Sequence, residues 1–95
     1  MKLGKITGSL VASQKEESLN GLRFMLVSDV DESGEETGGR VVAVDAVGAG
    51  VGEYVLVAAG SSARQTKATE NRPCDAVIMA IVDSWDVNGE TRYRK

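Results

Sequence analysis

The sequence predicts an all-β protein: a small five-stranded OB-like β-barrel with one short helix and a C-terminal hairpin. Three observations carry this expectation. The apolar residues fall in short runs broken by Gly, Asn, Asp and Ser, the pattern of short strands joined by tight turns. Glycine is abundant, with eleven residues, and proline occurs once among 95 residues. Asn88-Gly89 separates two β-like flanks, the best short-range signal of a type I′ hairpin. Five strands in so short a chain are most economically closed into a barrel, which removes their free edges.

The first run, Lys2–Val11, carries Gly4 and Gly8, which suggest the bend or bulge that a barrel strand needs. A polar loop, Ser13–Gly21, ends in the turn signal Asn20-Gly21. The second run is Leu22–Val30. An acidic loop with glycines, Asp31–Gly39, follows and is expected to be exposed. The third run is Arg40–Val47, and Gly48-Ala49-Gly50-Val51-Gly52 breaks the chain after it. The fourth is Glu53–Ala59. Ser62 and Gln65 fit a capping box, so a helix is expected from Ser62 to about Lys67–Thr69, ending before Pro73. The last long run, Asp75–Asp86, should be buried on both faces for much of its length. The hairpin pairs Trp85-Asp86-Val87 with Glu90–Tyr93.

A chain of this size reads as one domain, residues 1–95, with the barrel core about 1–86 and the hairpin about 84–95. A domain this small buries only about 60–65% of its unfolded surface, so oligomerisation would help it. No apolar run approaches the roughly 18 residues that span a bilayer, and Met1–Lys5 starts like a strand rather than a leader peptide. A lone cysteine, Cys74, cannot form an internal disulfide. A cytoplasmic protein without a membrane partner is expected.

The formal net charge is −3 and only four residues are aromatic: Phe24, Tyr54, Trp85 and Tyr93. Both facts argue against nucleic acid, which needs a positive field and stacking platforms. There is no histidine. The commonest general base and metal ligand is therefore missing, and Ser–His and Cys–His nucleophile pairs cannot be built. No catalytic residue, metal site or cofactor is expected.

Gly48–Gly52 is not a dinucleotide fingerprint. Its third glycine comes one residue early, and Glu53 begins a strand rather than a helix. It reads as a tight connection needing positive φ. Gly60-Ser61-Ser62-Ala63-Arg64 reads as simple capping rather than an anion site. Arg64, unfavourable near a helix start, should find a carboxylate or carbonyl on another strand or subunit. Cys74 has no base beside it and reads as a small, partly buried filler. Asp75, Asp83, Asp86, Glu32, Glu35 and Glu36 lack EF-hand spacing and read as solvated surface. With Val87 facing Glu90 and Asp86 facing Thr91, Trp85 would face Arg92, a cation–π pair worth about 0.5–1 kcal/mol. A lone hairpin is marginal in water, so a neighbouring subunit is a candidate support for it.

An ordered series of segments then resembles one known family. These are Met1–Gly8, Ala12–Lys15, Leu19–Phe24, Val47–Val57, Gly60–Arg64 and Pro73–Asp83. Together they resemble the EutN/CcmL family of bacterial microcompartment vertex proteins over nearly the whole chain. Cys74 departs from the apolar or small residue expected at its place.

The resemblance implies an OB-like barrel that closes into a homopentamer and caps the corners of a shell tiled by hexameric shell proteins. It places Gly48, Ala49, Gly50, Val51, Gly52, Gly60, Ser61 and Ser62 as candidates near the five-fold axis. Arg64, Trp85, Arg92 and Tyr93 are candidates for the subunit interface. The alternative, from a different class, is an OB-type binding module for nucleic acid or oligosaccharide, in which Phe24, Tyr54 and basic residues would share one barrel face.

Overall fold

The computed structural model describes residues 1–95. Strands β1 (Lys2–Leu10), β2 (Phe24–Val30), β3 (Glu36–Asp45), β4 (Tyr54–Ala59) and β5 (Ala76–Ile81) form a closed barrel in the order β1-β2-β3-β5-β4. All pairings are antiparallel except β3–β5, which is parallel and spans only Val44↔Val77 and Asp45↔Ile78. Strands β6 (Ser84–Val87) and β7 (Glu90–Arg94) form a separate hairpin, which draws the molecule out to 46 × 23 × 21 Å. No helix is long and apolar enough to cross a membrane.

Alternation along the strands divides the apolar residues between two clusters. Ile6, Met25, Val27, Ala43, Val55, Val57, Ala76 and Ile78 point inward and fill the barrel. Their neighbours Val44, Ala58 and Val77 point outward. There they meet Ala63 and Cys74 from the β4–β5 connection, with Leu22, Phe24, Ala46 and Met79 at the margin. That connection is therefore a lid over the outer face of β3, β5 and β4, and Cys74 is part of its apolar lining.

The first strand bulges where its glycines predicted. The β1–β2 register shifts between Ile6 and Gly8. Gly4 is required by close approach: a Cβ there would lie 2.6 Å from Val27 Cγ1 and 3.1 Å from the Ser28 carbonyl oxygen.

Three expectations about element boundaries are corrected. First, β3 begins at Glu36, four residues before Arg40. The Asp31 carboxylate accepts the Ser33 N–H (2.9 Å), the Ser33 hydroxyl (2.6 Å) and the Glu35 N–H (3.1 Å), and closes the acidic loop within five residues.

Second, no α-helix starts at Ser62. The segment is a 3-10 turn, Gly60–Arg64, whose N-cap Ala59 offers no side chain and whose C-cap is Gln65. Beyond it the Thr66 and Thr69 hydroxyls lie 2.6 Å apart, and each also accepts the other residue's N–H. The Thr66 N–H thus goes to a side chain, and the Thr69 and Glu70 N–H groups donate to the Thr66 carbonyl in one isolated turn that is not continuous with Gly60–Arg64.

Third, the last long run is two strands, β5 and β6, separated at Val82-Asp83. Only Ala76, Val77 and Ile78 are buried on both faces.

The chain reverses at Asn88 and Gly89 with φ of 52° and 81°, as a type I′ turn requires. Val87↔Glu90 and Asp86↔Thr91 pair as expected, but a bulge follows and Trp85 pairs with Tyr93. Trp85 therefore does not face Arg92, and the expected cation–π pair is absent. Arg92 lies 3.6 Å from Glu90 instead. The bulge brings Trp85 and Tyr93 to the same side, where both reach a third ring on the barrel.

Candidate functional site

The two glycine-bearing candidate segments occupy opposite ends of β4. Val47–Glu53 leads into the strand and Gly60–Arg64 leaves it. They differ in how they are held.

The first turn is organised by two carboxylates. Asp45, whose side chain is only 1% exposed, accepts the N–H groups of Val47 (3.0 Å), Gly48 (3.1 Å) and Ala49 (3.2 Å) on one oxygen. Its other oxygen accepts from Arg23 Nη1 at 2.6 Å, and the same nitrogen donates to the Ala49 carbonyl at 2.9 Å. Glu53 accepts the Gly50 N–H at 2.6 Å and the Lys95 ammonium on its second oxygen. The Lys95 ammonium, followed by the Gly50 N–H, holds the Glu53 carboxyl below the usual glutamate range. Glu53 in turn raises the Lys95 ammonium.

Backbone bonds fasten the turn to β1: the Gly52 N–H donates to the Ile6 carbonyl (2.8 Å), and the Ile6 N–H donates to the Glu53 carbonyl (3.0 Å). Gly48 and Gly52 adopt φ of 77° and 92°, open to glycine at little cost. Ala49 is buried in the barrel cluster, whereas Val51 is exposed.

The second segment is held by its backbone and by one side chain. The Gly60 N–H donates to the Asp75 carbonyl at 2.8 Å, and Ala63 is fully buried under the lid. Gly60, Ser61 and Ser62 are exposed, and the Ser61 and Ser62 hydroxyls bond to no protein group. Arg64 is exposed and has no ion pair within its own chain; the carboxylate or carbonyl expected for it is not supplied intramolecularly. A largely apolar groove of about 570 Å³, lined by Met1, Val57, Met79 and Gln65 among others, runs beside Ser62.

The hairpin leans on its own barrel. The Tyr54, Trp85 and Tyr93 rings lie mutually 4.6–5.1 Å apart between centroids, with Trp85 and Tyr93 stacked. The Trp85 indole N–H donates to the Glu32 carbonyl at 2.7 Å, and the Tyr54 hydroxyl donates to the Gly34 carbonyl at 3.2 Å. Of the four candidate interface residues, Trp85 and Tyr93 are thus engaged within the chain. Arg92 is held only by Glu90 beside it, and Arg64 is free.

Phe24 belongs to the outer apolar cluster and Tyr54 to the hairpin trio, so the two do not share a barrel face; the Lys5 ammonium lies 5.5 Å from the centre of the Tyr54 ring. No three His, Cys, Asp or Glu side chains converge as metal ligands.

Sequence reasoning overlooked Arg23, Asp45, Glu53, Tyr54 and Lys95 as organisers of these segments. One local signal was available: an Asp two residues before Val47-Gly48 is the start of an Asx-type turn.

Comparison with known proteins gives a consistent picture. The family described as "Ethanolamine utilisation protein EutN/carboxysome" matches residues 1–83. The carboxysome shell vertex protein CcmL of Gloeobacter violaceus is 43% identical over 95 residues, covering 100% of this chain and 95% of that protein. Its solved structure superposes with a TM-score of 0.95, covering 100% of this chain and 98% of the other. The microcompartment shell vertex protein EutN of Salmonella typhimurium is 37% identical, covering 100% of this chain and 96% of the relative. The structure of GrpN from Rhodospirillum rubrum, a pentameric microcompartment shell protein, is 41% identical with a TM-score of 0.84, covering 92% of this chain and 99% of the other.

Proposed function

The chain belongs to the EutN/CcmL family, and from that premise we propose that it is a structural, non-enzymatic vertex protein of a bacterial microcompartment shell. Residues 1–95 act as one vertex domain. Five copies close head to tail into a ring that caps a corner of the shell in the cytoplasm, flanked by hexameric shell proteins. A flat hexagonal layer cannot close on itself, and five-fold units supply the curvature. A heterologous interface whose rotation closes generates such a ring. Neither nucleic acid nor membrane is among the partners.

The observation that carries this reading is the end-to-end similarity to shell vertex proteins, one of which is described as pentameric in its solved structure. The second reading, an OB-type binding module, called for Phe24 and Tyr54 on one basic face, and Phe24 lies instead in the outer apolar cluster.

The geometry favours one of the two candidate segments for the five-fold axis. A narrow opening takes one end of β4, not both. Ala49 is buried and the Val47–Glu53 turn is committed to Asp45 and Glu53. Gly60, Ser61 and Ser62 are small, exposed and free of intrachain side-chain bonds, which suits five copies converging. Arg64, next in line and unpaired, is the candidate to cross to a neighbouring subunit.

Native mass spectrometry of the purified chain at low micromolar concentration tests the proposal. A dominant pentamer is expected. A clean monomer or dimer would remove the basis of the vertex role and bring the binding-module reading forward.

A further inference from the structure

The hairpin and the Val47–Glu53 turn are distant in sequence but meet at one point. Lys95, immediately after β7, donates its ammonium to Glu53, 42 residues earlier. Glu53 turns its other carboxylate oxygen back onto the Gly50 N–H. The Lys95 backbone N–H donates to the Asp83 carbonyl at 2.7 Å, which fixes where the side chain starts. The hairpin itself is bolted to Tyr54, the residue next to Glu53, by the aromatic trio, and just before β6 the Val82 N–H donates to the Tyr54 carbonyl at 2.8 Å.

A turn with glycines at 48, 50 and 52 has wide backbone latitude. A glutamate side chain at its edge loses rotamer freedom when it folds back on the turn. A cation on its second oxygen offsets that loss. The Glu53 side chain is 23% exposed and that of Lys95 47% exposed, so the pair is accessible and its effect is local. Asp83 and Tyr93 are the other titratable groups that act on the Lys95 ammonium.

We propose that the C-terminal hairpin is a strap on the Gly48–Gly52 turn, with Lys95 acting as a positioning residue through the Glu53 carboxylate. The Gly50 end of the turn is then held from outside the barrel, by an element that contributes nothing to the barrel sheet, while Asp45 holds the Val47–Ala49 end from β3. The strap is a property of the folded chain and does not rest on ring closure, so a failure of either reading leaves the other to be judged separately.

Amide hydrogen exchange of the full chain, at fixed protein concentration and pH near neutrality, reads this coupling. In Lys95→Met the Gly50 amide should exchange about two- to fivefold faster, the range of a partly exposed ion pair. The Val27 and Ile78 amides in the barrel should keep their rates. Lys95→Arg should restore Gly50 protection. Glu53→Gln keeps an oxygen for Gly50 but loses the charge, so Lys95→Met combined with Glu53→Gln should be no faster at Gly50 than the faster single variant. An unchanged Gly50 rate in Lys95→Met overturns the strap. So does equal acceleration at Val27 and Ile78, failure of Lys95→Arg to restore protection, or an additive double variant.

Discussion

Replacing Asp45 tests how the Val47–Glu53 turn is held. Asp45→Ala removes the acceptor of three backbone N–H groups and the partner of Arg23. Val47 and Gly48 are exposed, so water can take over their amides. Ala49 is 1% exposed, so its amide is left without an acceptor. That single orphaned donor costs about 1–3 kcal/mol. The Arg23 side chain is 55% exposed, so screening limits its ion pair with Asp45 to about 1 kcal/mol or less.

The expected loss is therefore about 1–4 kcal/mol. For a domain of this length that lowers Tm by roughly 4–32 °C, at about 4–8 °C per kcal/mol. Asp45→Asn keeps one oxygen for the amides and loses only the charge, so it should fall between wild type and Asp45→Ala. Thermal and urea unfolding at one fixed protein concentration measure this, because any assembly makes Tm concentration-dependent. If Asp45→Ala loses less than about 1 kcal/mol, or if Asp45→Asn is as damaging as Asp45→Ala, the carboxylate does not organise the turn as reasoned.

Two further outcomes are expected. Gly4→Ala should destabilise by about 1–3 kcal/mol, because its methyl meets Val27 Cγ1 at 2.6 Å and the Ser28 backbone at 3.1 Å; unfolding indistinguishable from wild type would show that β1 and β2 can separate freely there. The Asp31 carboxyl is held below its ordinary value of 3.8, chiefly by the Ser33 hydroxyl and then by the Glu35 N–H. Its depressed value means that its stabilising bonds are complete above pH 3.8 and lost as pH falls through the lower folded value. Carbon-detected NMR titration should place the midpoint below 3.8, and Ser33→Ala should move it upward; a wild-type midpoint at or above 3.8 would contradict the turn geometry.

Where the sequence was legible, the determinants were local. Asn88-Gly89 announces its turn because both positions need positive φ, and Gly4 and Gly8 mark the bulged first strand because a barrel wall must bend there. Where it misled, the determinants lay across the fold. Gly38-Gly39 looked like loop, yet Gly39 lies within β3. A Cβ at Gly39 would lie 2.5 Å from Asp29 Oδ2, so the space belongs to a side chain of the neighbouring strand. The Trp85–Tyr93 stack depends on a one-residue bulge that brings both rings to Tyr54, 31 residues before Trp85, and no local rule specifies it. Ser62 and Gln65 satisfy a capping-box pattern, but the Thr69 hydroxyl takes the Thr66 N–H and the chain starts a new turn there instead of running on from Gln65 as a helix. Arg23 and Lys95 bind their carboxylates 22 and 42 residues away, a distance at which spacing carries no information.

The barrel closes along its shortest seam, the parallel β3–β5 pairing of two residue pairs. Its first strand pairs with a strand more than fifty residues later, Lys2 with Val57. Loop-closure entropy must be met before either contact is rewarded, so this topology folds slowly for its length. The β1–β2–β3 meander is complete as soon as Asp45 has been made, but on a ribosome its two outer edges stay open until β4 and β5 emerge. The nascent chain therefore passes through a stage in which it displays the edges that the finished barrel hides. In the mature protein the connection between β4 and β5 lies over the same two-pair seam and buries Val44 and Val77 beneath it, so the shortest pairing of the wall is also its best covered.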